Sequence, residues 1–509
     1  MSIDLRERID SSPMTRFQWG AVAICVLLNV LDGFDVLVMA FTAQSVSQEW
    51  GLSGAAVGLL LSAGLFGMAG GSLLLAPWAD TIGRRRMILL CLVIASAGMI
   101  LSALSPNALM LGLLRALTGV GIGGILASSN VIASEYSSSR WRGLAVSLNS
   151  TGYAIGATLG GIIAVVLQNS FGWRSVFLFG GIWTAAIIPV ALLGLPESLD
   201  FLLARRPANA LARINKFAAR IGQPQLSELP EPIANDASQP EPASKLRQLF
   251  SPELLRSTLL IWFAFFMTMF GFYFVTSWTP KLLVAAGLSA TQGITGGVLL
   301  NLGGIFGATL LGALSARFAL RSVLSAYMVI AGVLLVVFVP ATTSIVVGFA
   351  LGALIGVFAN GCVAGLYAIT PSVYGPSVRA TGVGWGIGVG RIGAILSPIV
   401  AGKLLDLNWT PTQLYILVAV AFALGAVAVS RLRPSRTSRR PHRRKRRRPA
   451  CSPANLPDHS ANSAHQPERP LLTVARGFPP DDPRSGRSGR SGRGLRGRSA
   501  RSVPGTRCR

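Results

Sequence analysis

Leu31-Asp32-Gly33-Phe34-Asp35 places two carboxylates inside an apolar run at about 19–43. The run is long enough to cross a hydrocarbon core as one helix, which takes about 20 residues. Val26-Leu27-Leu28 precedes the two carboxylates and Val36-Leu37-Val38-Met39 follows them. That flank disfavours a late helix start with the acids in a wet loop. Residues three apart share one helical face. Carboxylates are expensive at membrane depth, so they face a cavity there and mark ion or proton paths. Asp32 and Asp35 are therefore read as a buried, functional pair.

Outward from this stretch the apolar pattern recurs. Mean hydropathy is +0.55, and only 13% of the 509 residues are charged; both depart from soluble globular proteins. Twelve apolar segments fall at about 18–43, 54–78, 86–105, 108–133, 143–167, 174–195, 257–284, 292–316, 319–340, 343–370, 380–402 and 411–432. Each can bridge a core of about 30 Å. Gly64, Gly67, Gly70 and Gly71 in the second, and Gly119, Gly121, Gly123 and Gly124 in the fourth, allow close helix packing. The first run is long and lacks a small-residue cleavage site, so no cleavable signal is apparent. The expectation is an all-α, multi-pass protein of the cell's inner or plasma membrane, present as a monomer.

Loop charge sets the expected orientation. Arg84-Arg85-Arg86, Arg140 and Arg142, Arg205 and Arg206, Arg317 and Arg321, and Arg379 fall in alternate connections. The opposite set carries chiefly Glu49, Arg174, Lys403 and Asp406. The basic side is expected to be cytoplasmic, with both termini inside.

The rarer residue types narrow the chemistry. Cys25, Cys91 and Cys362 lie in apolar segments and Cys451 and Cys508 near the C-terminal end, which is no disulfide framework. His442, His459 and His465 are all near that end too, so proton chemistry within the membrane must use carboxylates or another group. No nucleophile–base pair, metal-ligand spacing or phosphate loop is visible. The chain reads as no enzyme, with no catalytic residue, metal site or cofactor.

Segment two runs into Ala76-Pro77-Trp78-Ala79-Asp80-Thr81-Ile82-Gly83-Arg84-Arg85-Arg86. Gly83 permits a tight turn, and Asp80 can accept hydrogen bonds from a helix N-terminus or a neighbouring Arg. D-x-x-G-R-R between two membrane helices is more specific than a basic cluster alone. It resembles the loop signature between helices two and three of the major facilitator superfamily. Segment one, with its D-G-F-D, is similar to the aromatic acid/proton symporter branch, whose members import benzoates and hydroxybenzoates. Two further stretches fit that branch: Leu114-Arg115-Ala116-Leu117-Thr118-Gly119-Val120-Gly121-Ile122-Gly123-Gly124, in a segment ending near Glu135, and Arg379-Ala380-Thr381-Gly382-Val383-Gly384-Trp385-Gly386-Ile387-Gly388-Val389-Gly390-Arg391-Ile392-Gly393. The resemblance covers about 15–432 and implies twelve transmembrane helices in two six-helix, pseudo-symmetric halves.

The domain expectation follows. Residues 1–17 form a cytoplasmic lead-in, 18–195 the first half, 196–256 a cytoplasmic linker and 257–432 the second half. Pro196-Glu197-Ser198 opens the linker; 204–221 has helical composition with basic positions, and 223–244 is rich in Pro, Glu and Ser. The second half places Ala316-Arg317-Phe318-Ala319-Leu320-Arg321 where a second loop signature belongs, without its Asp and Gly. Residues 433–509 form a disordered, Arg-rich tail with 21 Lys and Arg against 4 Asp and Glu, net +17 of the chain's +26. Such a composition cannot bury enough apolar surface to fold. The tail reads as a contact for anionic lipid, as an RNA-binding segment, or as an out-of-frame extension of a high-GC gene, the last being favoured. The high charge is not taken as specific nucleic-acid function.

Depth groups the membrane charges. At about 1.5 Å per residue, Asp32 and Asp35 lie about 20–24 Å along segment one, Arg115 about 20 Å from the cytoplasmic face and Arg391 about 17 Å deep. A guanidinium is a planar, two-pronged donor for a carboxylate. Arg391 is the first choice to hold a substrate anion and Arg115 the second. Asp32 and Asp35 compete for the same positive charge, so protonating one Asp frees an Arg and couples substrate to the proton gradient. The rival reading is a structural ion pair holding segment one to four or eleven; the branch's acids and arginines match these four positions. Asp80, Gly83, Arg84 and Glu135 are expected at a cytoplasmic gate whose ion pairs join the halves while the site faces outward. Phe270, Tyr273, Phe274, Trp278, Tyr153 and Trp385 are candidates to sandwich an aromatic ring, against the commoner role of packing. The resemblance implies proton-driven import of a small aromatic carboxylate. Other organic anions or sugar acids are the alternative, and a drug/proton exporter is disfavoured by the paired arginines.

Overall fold

The computed structural model describes residues 8–229, 242–375 and 377–432. Residues 1–7, the middle of the linker and all of 433–509 lie outside the described residues, and with them the expectations for the tail.

Twelve helices are long and apolar enough to cross a membrane. In the first half these are α1 (Arg16–Trp50), α2 (Gly54–Ile82), α3 (Arg84–Ala103), α4 (Ala108–Glu135), α5 (Ser139–Phe171) and α6 (Trp173–Gly194). Three short helices follow, α7 (Leu199–Arg205), α8 (Ala210–Arg220) and α9 (Pro242–Leu249). The second half comprises α10 (Leu255–Ala285), α11 (Ala290–Ser315), α12 (Leu320–Ala341), α13 (Ile345–Val373), α14 (Arg379–Asp406) and α15 (Pro411–Ser430). Each apolar segment became one helix, and several run past their hydropathic limits because polar residues close the ends. Thr15 and Gln18 form a capping box that starts α1. Its far end runs on through Ser45, which donates to Gln168 at 2.8 Å, and stops at Gly51 in the left-handed region, φ 59°.

The helices pack in matched pairs. In the first half α2 lies against α4, α1 against α5, and α3 against α4 and α6. The second half repeats this as α11 on α13, α10 on α14, and α12 on α13 and α15. Between the halves, α2 meets α14 and α5 meets α11, which are equivalent pairings under the same two-fold relation. Leu73, Leu74, Leu109, Leu113, Val166 and Val346 stand exposed; an apolar exterior of this extent is the surface a bilayer covers.

Among the described residues, every hydrogen bond between the two halves runs between α2 and α14. The Asp406 carboxylate accepts from the backbone N–H groups of Gly54 (2.6 Å) and Ala55 (2.8 Å), the open N-terminus of α2. Ser62 donates to the Ile395 carbonyl at 2.7 Å. The helices touch backbone to backbone here. A Cβ on Gly54 would stand 2.5 Å from the Gly402 carbonyl oxygen, so no side chain fits at that position.

Candidate functional site

The Asp32–Asp35 face of α1 is set by its neighbours. Gly33 sits against the Tyr153 carbonyl of α5 with no room for a Cβ. On this helix Asp35 meets Arg115 of α4, and Asp32 lies within electrostatic reach of Arg391 in the second half. Both carboxylates are only 3% exposed.

Asp35 is fully engaged. Arg115, itself 2% exposed, donates from Nη1 to Asp35 Oδ1 at 2.5 Å. Its Nη2 donates to the Asp35 carbonyl at 2.7 Å and to Oδ2 at 3.3 Å. The guanidinium lies 5.8 Å from the centre of the Phe177 ring, and Gly64 of α2 leaves it space, with a Cβ there falling 3.2 Å from Nη2. The result is a two-pronged ion pair wrapped by four helices of one half.

Asp32 is differently placed. Its Oδ1 is buried and has no hydrogen-bond partner. Within its electrostatic reach are Asp35 and, from α14 across the interface between halves, Arg391. Arg391 is half-buried and acts in turn on Tyr273 of α10 and Tyr367 of α13. Tyr153 faces Asp32 and Tyr273, and its hydroxyl is also buried without a partner. One acid, one guanidinium and three phenols from both halves thus converge, with hydrogen-bonding capacity unspent.

Three asparagines extend this group toward the basic end of the bundle. Asn29, one turn before Asp32, donates to Asn149 Oδ1 at 2.7 Å, and Asn149 donates to Asn130 Oδ1 at 2.7 Å. Sequence reasoning missed Tyr367 and all three asparagines. Asn29 was recoverable, since it shares the i, i+3 face of Asp32; the other two become visible only when α4 and α5 are packed against α1.

Of the six aromatic candidates, Tyr153 and Tyr273 reach this group. The others pack. Trp278 is fully buried and donates Nε1–H to the Pro398 carbonyl at 3.2 Å. Phe274 meets Tyr415 edge to face at 5.3 Å, Phe270 stacks on Phe266 at 6.3 Å, and Trp385 stacks on Trp262 at 5.8 Å.

The loop residues form a separate cluster at the basic end. Arg84 pairs with Asp80 at 2.9 Å, one turn apart. Gly83 takes φ 105°, and a Cβ on it would lie 2.6 Å from Glu197 Oε2. The carboxylate that caps α3 is Glu197, accepting from the Arg85 N–H at 2.9 Å, and not Asp80. Glu135 accepts from Ser198 Oγ at 2.9 Å and from the Leu199 N–H at 2.8 Å. Among the described residues these four positions make their bonds within the first half and the start of the linker. In the second half the equivalent corner is simpler, with Arg321 donating to the Leu432 carbonyl at 2.6 Å.

Comparison with known proteins identifies the family. Residues 22–319 and 297–480 match the sequence model of the Major Facilitator Superfamily, a family of transporters rather than enzymes. A gallate transporter from Pseudomonas putida is 34% identical over 84% of this chain and 94% of its own. A 4-hydroxybenzoate transporter from the same organism is 31% identical over 84% and 95%. A benzoate transport protein from Acinetobacter baylyi is 28% identical over 84% and 92%. Among solved structures, the xylose transporter XylE from E. coli shares the fold with a TM-score of 0.62 at 16% identity, over 81% of this chain and 97% of that one. The chain is a multi-pass membrane protein that belongs to the major facilitator superfamily, in the branch that holds these aromatic acid transporters.

Proposed function

We propose that the chain imports a small aromatic carboxylate of the benzoate class together with protons, by alternating access to one central site. The observation that carries this reading is that Arg391 lies within electrostatic reach of Asp32 across the interface between halves, with Asp32 Oδ1 left unpartnered. The relatives support the substrate class, since gallate, benzoate and 4-hydroxybenzoate share a carboxylate on an aromatic ring and differ in ring hydroxyls.

In this account Arg391 holds the substrate carboxylate through two parallel N–H donors. Asp32, when ionised, claims that charge for itself. A proton taken from outside neutralises Asp32 and releases Arg391 to the anion, so proton and substrate occupy the site together. Release of the anion on the inner side returns Arg391 to Asp32, which gives up its proton there. Tyr153, Tyr273 and Tyr367 supply ring surface and hydroxyls that can meet substituents on the substrate. Asp35 and Arg115 hold α1 to α4 and keep Asp32 turned toward the second half.

The two ends of the bundle divide the gating. With the basic end in the cytoplasm and both termini inside, the Asp406 contact on α2 closes the outer side in this conformation. Asp80, Gly83, Arg84 and Glu135 form the inner gate, engaging the other half when the bundle rocks outward. Residues 196–256 serve as the cytoplasmic linker between the halves.

The test is uptake of radiolabelled benzoate and 4-hydroxybenzoate by cells making the chain, with Arg391→Ala alongside. Saturable uptake that the substitution removes, at unchanged membrane expression, is expected. No uptake of either acid by a well-inserted protein contradicts the substrate class.

A further inference from the structure

A cavity of about 240 Å³ opens where the linker meets the basic end of the first half. Its wall is formed by Arg85 from the start of α3, by Glu197, and by Arg213, Lys216 and Arg220 of α8. In α8 the apolar positions Ile214, Phe217 and Ala218 are buried, which aligns the three cations along the opposite edge at i, i+3 and i+7. Among the described residues none of the four cations forms an ion pair. Glu197 forms no ion pair with them: its Oε1 accepts from the backbone N–H groups of Arg85 (2.9 Å) and Ser198 (3.1 Å), and its single negative charge leaves the four cations in excess. Arg85 donates from Nη2 to the Leu192 carbonyl, its Nε is buried without a partner, and the Arg220 guanidinium lies over the Phe17 ring at 4.8 Å.

The other wall of this cavity is apolar and faces outward. Leu193, at the end of α6, lines the cavity and is 84% exposed, and its neighbour Leu192 is 49% exposed. Cationic hydrogen-bond donors inside, with bare leucines leading away along a membrane helix, match an amphiphile: an anionic head and apolar tails. A wholly water-soluble anion leaves the leucines unused. The excess of positive charge also discriminates against a zwitterionic lipid.

We propose that this cavity binds the phosphate of an anionic phospholipid, with its acyl chains along α6, and so fastens α8 to the α2–α3 loop. The site is separate from the Asp32–Arg391 group. Bound phosphate bridges Arg85, whose N–H Glu197 holds, to the cationic edge of the linker helix.

The experiment uses the full chain in phosphatidylcholine nanodiscs doped with photoactivatable phosphatidylglycerol, with adducts mapped by peptide mass spectrometry. Adducts at Leu192–Leu195 and across α8 are expected. Arg213→Gln/Lys216→Gln/Arg220→Gln lowers them by about tenfold or more, while adducts elsewhere on the protein, the basic tail included, stay constant as an internal standard. These side chains are exposed, and Arg213→Lys/Lys216→Arg/Arg220→Lys restores labelling if charge is the cause. Equal labelling by a photoactivatable phosphatidylcholine, or no response to the neutral variant, overturns the proposal. Displacement by inorganic phosphate as effective as displacement by unlabelled phosphatidylglycerol assigns the site to free phosphate and overturns the lipid.

Discussion

Asp32 and Asp35 stand one turn apart on the same helix with the same burial, yet they live in opposite environments. Asp35 is closed on by Arg115 with both oxygens and its own carbonyl used. Asp32 keeps an unpartnered oxygen and lies within electrostatic reach of Arg391 across the interface. Burial alone therefore does not set which partners a carboxylate has. What separates the two is the element opposite: α4 belongs to the same half as α1, whereas α14 belongs to the other half, so the proposed alternating access would part only the second pair. A charge pair within one rigid body holds that body together, and a pair across two bodies can be made and broken by their motion.

The largest effect that tests this contrast concerns Arg115. Arg115→Ala leaves Asp35 as an uncompensated buried charge, at a cost of about 3–5 kcal/mol. Yield and melting temperature in detergent should fall sharply, and a variant that melts with the wild type would show the pair to be dispensable packing. Arg391→Ala should behave conversely. It keeps the melting temperature close to wild type and weakens substrate binding about a hundredfold, the loss of two charge-assisted hydrogen bonds. Equilibrium binding of 4-hydroxybenzoate to the purified protein measures it, and unaltered affinity would remove Arg391 from the site.

A smaller effect belongs to the contact between halves. Asp406→Ala takes the carboxylate from the N-terminus of α2, worth about 1 kcal/mol. Spin labels on α2 and α14 should then report a broader and longer distance distribution at that end; an unchanged distribution means that the glycine packing alone closes it. Smallest is the hydroxyl of Tyr273. Tyr273→Phe should raise the KM for hydroxylated benzoates by about twofold to fivefold and leave benzoate unaffected. An equal change for both substrates would give Tyr273 a packing role.

The fold was legible because each membrane helix carries its own signal: an apolar run with a charge-poor interior, and loops whose arginines alternate in side. The acids of α1 and the arginines of α4 and α14 were legible for the same reason, since a charge inside an apolar run stands out by itself. Which acid takes which arginine was not legible. That depends on how helices far apart in sequence pack together, as where Gly33 of α1 seats against Tyr153 of α5. Glu197 and Asp406 escaped notice as caps because each lies in a loop or at a helix end, where a carboxylate is unremarked until the helix it caps is brought beside it. Tyr367 lacked even that cue, being one aromatic among many in an apolar segment.

Proton-driven accumulation in proteoliposomes separates coupled import from binding alone. Protein is reconstituted with an imposed pH gradient, and entry of radiolabelled 4-hydroxybenzoate is followed for wild type and Asp32→Asn. The account predicts that wild type accumulates the acid above its equilibrium level and loses that ability with a protonophore, while Asp32→Asn exchanges substrate across the membrane without accumulating it. Accumulation by Asp32→Asn equal to wild type would contradict the account, whatever aromatic acid the protein carries.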